Sequence, residues 1–121
     1  MNQYRNTEKD IHKRIYRFVI GCFRDVVKKI PKYTENLPII GQLSSSLTSI
    51  GANDQEADAA FTKKDFIAKY VIVRKETSET YYWLSVVRDT EFIGSKVVDP
   101  YLEECSEIKN IVSSIIQKSR R

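Results

Sequence analysis

Apolar residues recur along this chain at steps of three and four, the spacing that places side chains on one face of an α-helix. Four segments follow this pattern, and they predict helices over residues 5–30, 37–60, 63–92 and 100–118. Helices of this length joined by short connections favour an antiparallel up-down four-helix bundle. The sequence therefore predicts an all-α fold with one domain spanning residues 1–121.

The first connection is marked by proline. Pro31 lacks a backbone donor and disfavours helical geometry at Ile30, so we expect the first helix to continue to Ile30 and end there. Asn36 is expected to cap the second helix, with Pro38 tolerated in its first turn. The chain between these positions is predicted to turn.

The third helix has the most regular pattern. Thr62, followed by Asp65 three residues later, predicts its start in the manner of a capping box. Asp99 and Pro100 together predict the cap and first turn of the fourth helix. Within the third helix, the inward positions alternate steps of four and three over three heptads: Phe66, Tyr70, Val73, Thr77, Thr80, Leu84 and Val87.

Composition narrows the class of protein. Cys22 and Cys105 are the two cysteines, and both occupy apolar positions of predicted helices, so we interpret them as reduced core thiols. The first residues lack the apolar run of a secretory signal, and no segment approaches the roughly 20 apolar residues of a membrane span. We expect a cytoplasmic protein without a membrane partner.

Catalytic patterns are missing from the sequence. His12 is the single histidine, and its neighbours Asp10 and Lys13 indicate a solvated helix surface. A di-iron bundle requires paired Glu-x-x-His motifs, and phosphate-binding loops require a glycine-rich segment, neither of which occurs. We therefore predict no catalytic residue, no metal, no cofactor and no enzymatic activity.

Positive charge is concentrated in the first helix and its exit. The chain carries a net charge of +4 with an isoelectric point near 9.1. One interpretation is a solvated basic face beside the acidic end of the second helix; the other is a surface for phosphate backbones. Tyr16 and Tyr33 would either stack on unpaired bases or cover the core rim. The candidate nucleic-acid-binding residues are Lys13, Arg14, Arg17, Arg24, Lys28, Lys29, Lys32, Arg120 and Arg121.

Asn53 and Glu56 follow Ile50 by three and six residues, which predicts that both face the third helix. A buried carboxylate requires a partner, and the candidates are Arg74, Lys75 or hydrogen bonds from the start of the third helix. We interpret Asn53, Glu56 and Arg74 as a structural polar network at the junction of the second and third helices. A ligand site is the alternative.

Three linked motifs carry a family resemblance. They are Ser49-Ile-Gly-Ala-Asn-Asp-Gln-Glu-Ala57, then Lys64-Asp-Phe-Ile67, then Glu79-Thr-Tyr-Tyr-Trp-Leu84. Their order and spacing resemble those of the bacterial four-helix-bundle family of 23S rRNA intervening-sequence proteins. One departure is Asp54, where an apolar or aromatic residue is common in that family.

The resemblance implies an antiparallel bundle assembled as a homopentameric ring. The chain is also similar to the accessory variability determinant of diversity-generating retroelements, a basic pentamer that contacts nucleic acid and a reverse transcriptase. On that resemblance, the surplus aromatic surface of Tyr81, Tyr82 and Trp83 is a candidate subunit contact. Fold resemblance alone does not carry function.

Two functional hypotheses follow. The first is a non-enzymatic, oligomeric accessory protein that binds RNA or DNA through the cations of the first helix, with ribosomal RNA as one candidate. The alternative is a protein-interaction scaffold, with a reverse transcriptase or another protein as its partner and an incidental basic charge.

Overall fold

The computed structural model describes residues 11–121, which form four α-helices and no strand: α1 Ile11–Asp25, α2 Leu37–Asp58, α3 Lys63–Asp89 and α4 Ser95–Ser119. Two short 3₁₀ turns, Val27–Lys29 and Thr34–Asn36, lie between α1 and α2. None of the described helices has both the length and the apolar character that crossing a membrane requires. The predicted start of the first helix near residue 5 lies outside the described residues.

Side-chain hydrogen bonds show how the helices run. The Tyr70 hydroxyl donates to Asp54, and the Thr80 hydroxyl donates to Ser46, so residue numbers rise along α3 as they fall along α2. These two helices are therefore antiparallel. Each of α1 and α3 packs against both α2 and α4, which confirms the predicted all-α four-helix bundle.

The heptad positions of α3 form the centre of the core. All seven are buried, including the polar Thr77 and Thr80. The Thr77 hydroxyl donates to the Val73 carbonyl at 2.6 Å, and Thr80 donates to Ser46 Oγ at 2.7 Å. Because buried polar groups are costly unless they are hydrogen-bonded, these bonds allow threonine to occupy core positions.

Both cysteines are free and buried, as the sequence predicts. Cys105 Sγ donates to the Thr77 carbonyl at 3.3 Å. Burial raises the pKa of Cys105 to about 12 and also raises the pKa of Cys22. Since the thiolate is the reactive form, both side chains behave as small core residues rather than nucleophiles.

The first helix ends earlier than predicted. α1 stops at Asp25 instead of Ile30, and the chain tightens into 3₁₀ hydrogen bonds, from Lys29 N–H to the Val26 carbonyl and from Ile30 N–H to the Val27 carbonyl. The α-helical pattern is thus lost over a full turn before Pro31 and not only at Ile30. Lys28 and Lys29 consequently lie on the turn and not on the helix.

Asn36 does not cap α2 with its side chain, contrary to the prediction. It is buried, and its Nδ2 donates to the Pro31 carbonyl at 2.8 Å. This hydrogen bond therefore joins the beginning and the end of the connection between α1 and α2. Pro38 does lie in the first turn of α2, as expected.

The cap predicted for α3 is present. Thr62 Oγ1 accepts a hydrogen bond from Asp65 N–H at 3.0 Å, and α3 begins at the next residue, Lys63. α3 ends at Asp89, three residues before the predicted residue 92. The chain leaves the helix through Glu91, whose φ of 61° is left-handed, and Phe92 N–H bonds back to the Val87 carbonyl. This is a helix-ending arrangement more often built on glycine.

The fourth helix begins five residues before the predicted start. Gly94 precedes it, and Pro100 lies inside the helix instead of in its first turn. The reason is burial: Val98 is fully buried and extends the stripe of Leu102 and Cys105 back towards the start of α4. Pro100 is exposed. Its ring and its nitrogen, which has no hydrogen to donate, therefore lie on the solvent side of the helix.

A glycine allows α1 and α4 to approach each other. A Cβ at Gly21 would lie 2.6 Å from the Tyr101 hydroxyl oxygen and 2.9 Å from its ring. The same hydroxyl donates to the Asp25 carboxylate. Gly21 thus provides the space in which Tyr101 crosses to α1.

Replacing Gly21 with alanine tests this packing. We expect Gly21→Ala to lower the free energy of unfolding by about 1–2 kcal/mol, because overpacking typically costs about 1–3 kcal/mol and outweighs the gain in helix propensity. Gly41→Ala in α2 is the matched control, since nothing lies within 4 Å of its added Cβ. It should raise stability by about 1 kcal/mol. Urea unfolding measures both, and an equal gain at both positions would contradict the proposed packing.

Candidate nucleic-acid interface

The outward face of α1 is basic. Its inward face carries Ile11, Ile15 and Phe18, all buried. Lys13 and Arg17, four residues apart, are exposed on the opposite side, and neither forms an ion pair with another described residue. Side chains four residues apart on a helix lie one above the other, so these two cations form a line.

Arg14 faces a different direction from the other candidates. Its Nε donates to Glu104 Oε2 at 3.0 Å and its Nη2 donates to Glu104 Oε1 at 2.6 Å, with Glu107 at 3.4 Å. The hydrogen bond to Glu104 raises the pKa of Arg14. Two parallel bonds to one carboxylate join α1 to α4. The structure therefore assigns Arg14 to an interhelical contact instead of the exposed basic face.

Arg24 is exposed but neutralised. Its Nε and Nη2 donate to the two Asp25 oxygens at 3.0 and 3.2 Å. Asp25 also accepts from the Tyr101 hydroxyl, and the bonds from Arg24 and Tyr101 lower the pKa of Asp25 to about 2. Because that carboxylate stays charged, Arg24 adds little net positive charge to the surface.

The exit from α1 carries three further cations. Lys28, Lys29 and Lys32 are exposed, and none of them forms an ion pair with a residue in the described range. We call these three, together with Lys13 and Arg17, the basic stripe. It consists of lysines and one arginine that follow α1 and its 3₁₀ exit.

Arg120 and Arg121 lie apart from much of this stripe. The Arg121 carbonyl accepts from Lys63 Nζ at 2.7 Å, which places the chain end beside the start of α3. Lys28 and Lys29 lie at the opposite end of the bundle, near the start of α2. The structure therefore does not bring all nine predicted cations together.

The predicted network of Asn53, Glu56 and Arg74 is not formed. Glu56 is 57% exposed and lies 3.3 Å from Lys69 Nζ. Asn53 donates to the Ser49 carbonyl and Ser49 Oγ, within its own helix. Helical spacing turns Glu56 to the solvent side, where a carboxylate needs no buried partner.

Among the described residues, the carboxylate that is buried in the core is Asp54 and not Glu56. It is 1% exposed, and its Oδ1 accepts from the Tyr70 hydroxyl at 2.8 Å. His12 Nδ1 donates to Asp54 Oδ2 at 2.8 Å, and His12 Nε2 lies 3.4 Å from Asp58 Oδ1. The interpretation of His12 as solvated surface is therefore wrong. In residues 11–121, no group of three or more histidine, cysteine, aspartate or glutamate side chains is arranged to hold a metal ion.

The sequence contained a signal for this cluster. The buried residues Leu43, Leu47, Ile50 and Ala57 of α2 alternate steps of four and three, and Asp54 occupies the position that this pattern assigns to the core. It is also the position at which the chain departs from the family motif. A heptad count along the second helix would have identified Asp54 instead of Glu56.

The aromatic candidates differ in exposure. Tyr82 is 59% exposed and Tyr81 is 41% exposed, whereas Trp83 is half-buried and meets Tyr82 edge-to-face at 4.9 Å. Trp83 Nε1 is buried and has no hydrogen-bond partner among the described residues. Beside the stripe, Tyr16 and Tyr33 are 68% and 65% exposed. The rings of Tyr16 and Tyr33 are thus largely accessible.

Known proteins resemble the chain over most of its length. The family described as 23S rRNA-intervening sequence protein matches residues 7–114. A crystal structure of a protein of unknown function, from the S23 ribosomal protein family of Bacteroides thetaiotaomicron, is 31% identical with a TM-score of 0.80. The match covers 88% of this chain and 95% of the other. No curated protein matches the chain.

The hydrogen bond between Tyr70 and Asp54 can be tested by deletion of one hydroxyl. Tyr70→Phe should lower the free energy of unfolding by about 1–3 kcal/mol, because it removes a donor from a buried carboxylate. Tyr33→Phe is the matched control, since its ring is exposed, and should change stability by less than about 0.5 kcal/mol. Urea unfolding measures both variants. Equal stability of Tyr70→Phe and the wild type would show that the bond contributes nothing.

Proposed function

The chain belongs to the family of 23S rRNA-intervening sequence proteins, and we propose that it is a non-enzymatic, oligomeric accessory protein that binds nucleic acid through the basic stripe. The relative from Bacteroides thetaiotaomicron is itself a protein of unknown function, so the proposal depends on the residues of this chain. Ribosomal RNA is the candidate that the family description suggests. We expect the protein to act in the cytoplasm.

The observation that supports the proposal most directly is that five cations on α1 and its exit are exposed and form no ion pair with a residue in the range 11–121. Within that range, acidic residues neutralise Arg14 and Arg24 but none of these five. A 15-residue helix is about 22 Å long at about 1.5 Å per residue. Duplex DNA carries one charge per about 1.7 Å of axis, so a stripe of this length faces several phosphates at once.

The chemistry of the stripe favours phosphate contacts over base reading. Four of its five members are lysines, which act as compact point charges, whereas bidentate recognition of base edges generally uses arginine. Such a surface gives affinity with little sequence preference and a strong dependence on salt. An accessory protein that holds RNA or DNA for another factor needs this kind of binding.

We also propose that several copies act together, as a homopentameric ring. Tyr81, Tyr82 and Trp83 form the candidate subunit contact, since aromatic residues are enriched at interfaces. The buried indole N–H of Trp83 also has no hydrogen-bond partner among residues 11–121. Repetition of the stripe would strengthen weak phosphate contacts by avidity. Light scattering should give the mass of five chains, and the mass of one chain would contradict the ring.

Charge removal from the stripe tests the proposal. The triple variant Lys13→Ala, Arg17→Ala and Lys28→Ala should weaken RNA and duplex DNA binding at least tenfold at low salt. The slope of log affinity against log salt should fall by about 0.9 for each duplex phosphate that the variant no longer neutralises. Fluorescence titration at several salt concentrations measures both quantities.

The control variant removes the same charge elsewhere. Lys64→Ala, Lys75→Ala and Lys96→Ala alters three exposed lysines of α3 and α4. It should retain nearly wild-type binding and slope. An equal loss in both triple variants would show that only total charge matters. Failure of the wild type to bind at low salt would overturn the proposal and leave the protein-interaction scaffold.

A further inference from the structure

A cavity of about 260 Å³ opens between α1 and α2 beside the basic stripe. Its α1 wall is formed by Ile15, Tyr16, Val19 and Ile20. Tyr16 and Ile20 are among the exposed large apolar side chains, so they form the outer rim. Pockets for drug-sized ligands usually measure about 300–1,000 Å³. This smaller space suits a single small planar group.

The opposite wall is open because α2 has small residues there. Gly51 and Ala52 line the cavity. A Cβ added at Gly51 would approach only Val19 Cγ2, at 3.9 Å, which is an ordinary contact. Alanine would therefore fit at this position, and a longer side chain would extend into the cavity.

The buried Asp54 and the half-buried His12 form a polar floor in the same cavity. His12, Asp54 and Gln55 line it together with the apolar walls. A carboxylate has about four lone-pair sites, and the bonds from Tyr70 and His12 occupy one site on each Asp54 oxygen. Asp54 therefore retains acceptor sites, but its side chain is 1% exposed, so an amino group reaches them only at the full depth of the cavity.

Two cations of the basic stripe lie on α1 outside the cavity. Lys13 and Arg17 are exposed on the same helix and flank Tyr16 in sequence. An occupant that combines a flat apolar face, an amino group at its edge and an attached anion would match the three parts of this site: the rim, the floor and the cations. An unpaired nucleotide has all three.

We propose that this cavity binds one unpaired nucleobase that carries an exocyclic amino group, from a strand whose phosphates lie on Lys13 and Arg17. The inference rests on the proposed function and gives it a preference for single-stranded segments. Tyr16 stacks on the base, and Asp54 accepts from the amino group, as carboxylates do from cytosine N4. Uracil lacks this group, so it binds more weakly.

The test compares three nucleic acids of equal length: single-stranded oligocytidylate, single-stranded oligouridylate and a fully paired duplex. The wild type should bind oligocytidylate several-fold more tightly than oligouridylate. Gly51→Leu, which fills the cavity, and Tyr16→Ala, which removes the stacking ring, should each weaken oligocytidylate binding about tenfold. Duplex binding should stay within about twofold, because it uses phosphates alone.

Two matched variants control for general effects. Gly41→Leu adds the same side chain to α2 where nothing lies within 4 Å of its Cβ, and Phe61→Ala removes an exposed aromatic ring outside the cavity. Both should bind all three nucleic acids like the wild type. If circular dichroism shows that Gly51→Leu does not fold, Ala52→Leu at the exposed rim provides the same test.

The outcomes separate this inference from the proposed function. Wild-type binding to all three nucleic acids with no effect of Gly51→Leu or Tyr16→Ala would overturn the base pocket and leave the basic stripe. A changed mass of Gly51→Leu in light scattering, with unchanged base preference, would identify the cavity as a subunit contact and overturn the inference. Absence of any wild-type binding would overturn the proposed function itself.

Discussion

Polar contacts along α1 determine which face of that helix meets water, and the proposed interface depends on this orientation. Near its start, His12 donates to Asp54 of α2, and at its end Asp25 accepts from Tyr101 of α4. Between them Arg14 bonds to Glu104. Apolar packing alone tolerates small rotations of an amphipathic helix, whereas directional hydrogen bonds to two different neighbours do not. Lys13 and Arg17 are consequently held outward.

The same contacts decide which cations remain available. Arginine, with its planar group of donors, forms the paired contacts at Arg14 and Arg24, and lysine supplies most of the exposed charge. The basic residues therefore differ in whether a carboxylate neutralises them, and the net charge of the chain does not show this difference. Arg14 joins α1 to α4, Arg24 is neutralised by Asp25 of its own helix, and the proposed phosphate contacts are left to the basic stripe.

Much of the fold followed from periodicity, because the heptad of α3 and the Thr62 cap are local patterns with one structural meaning. Some predictions were wrong because burial overrode a local signal. Pro100 looked like a helix start, but Val98 extends α4 beyond it because it is fully buried. At the candidate site, His12 could not be assigned without knowing that Asp54 faces it across 42 positions of sequence. The pairing of Arg14 with Glu104 likewise depends on tertiary packing.

The most direct test of the basic stripe is lysine footprinting of the wild-type protein with and without bound RNA. Acetylation of each lysine, measured by mass spectrometry, reports which amino groups the RNA covers. We expect strong protection of Lys13, Lys28, Lys29 and Lys32, with Lys64, Lys75 and Lys96 modified as in the free protein. Protection of the second group alone, or equal protection of both, would contradict the central claim that α1 and its exit form the nucleic-acid interface.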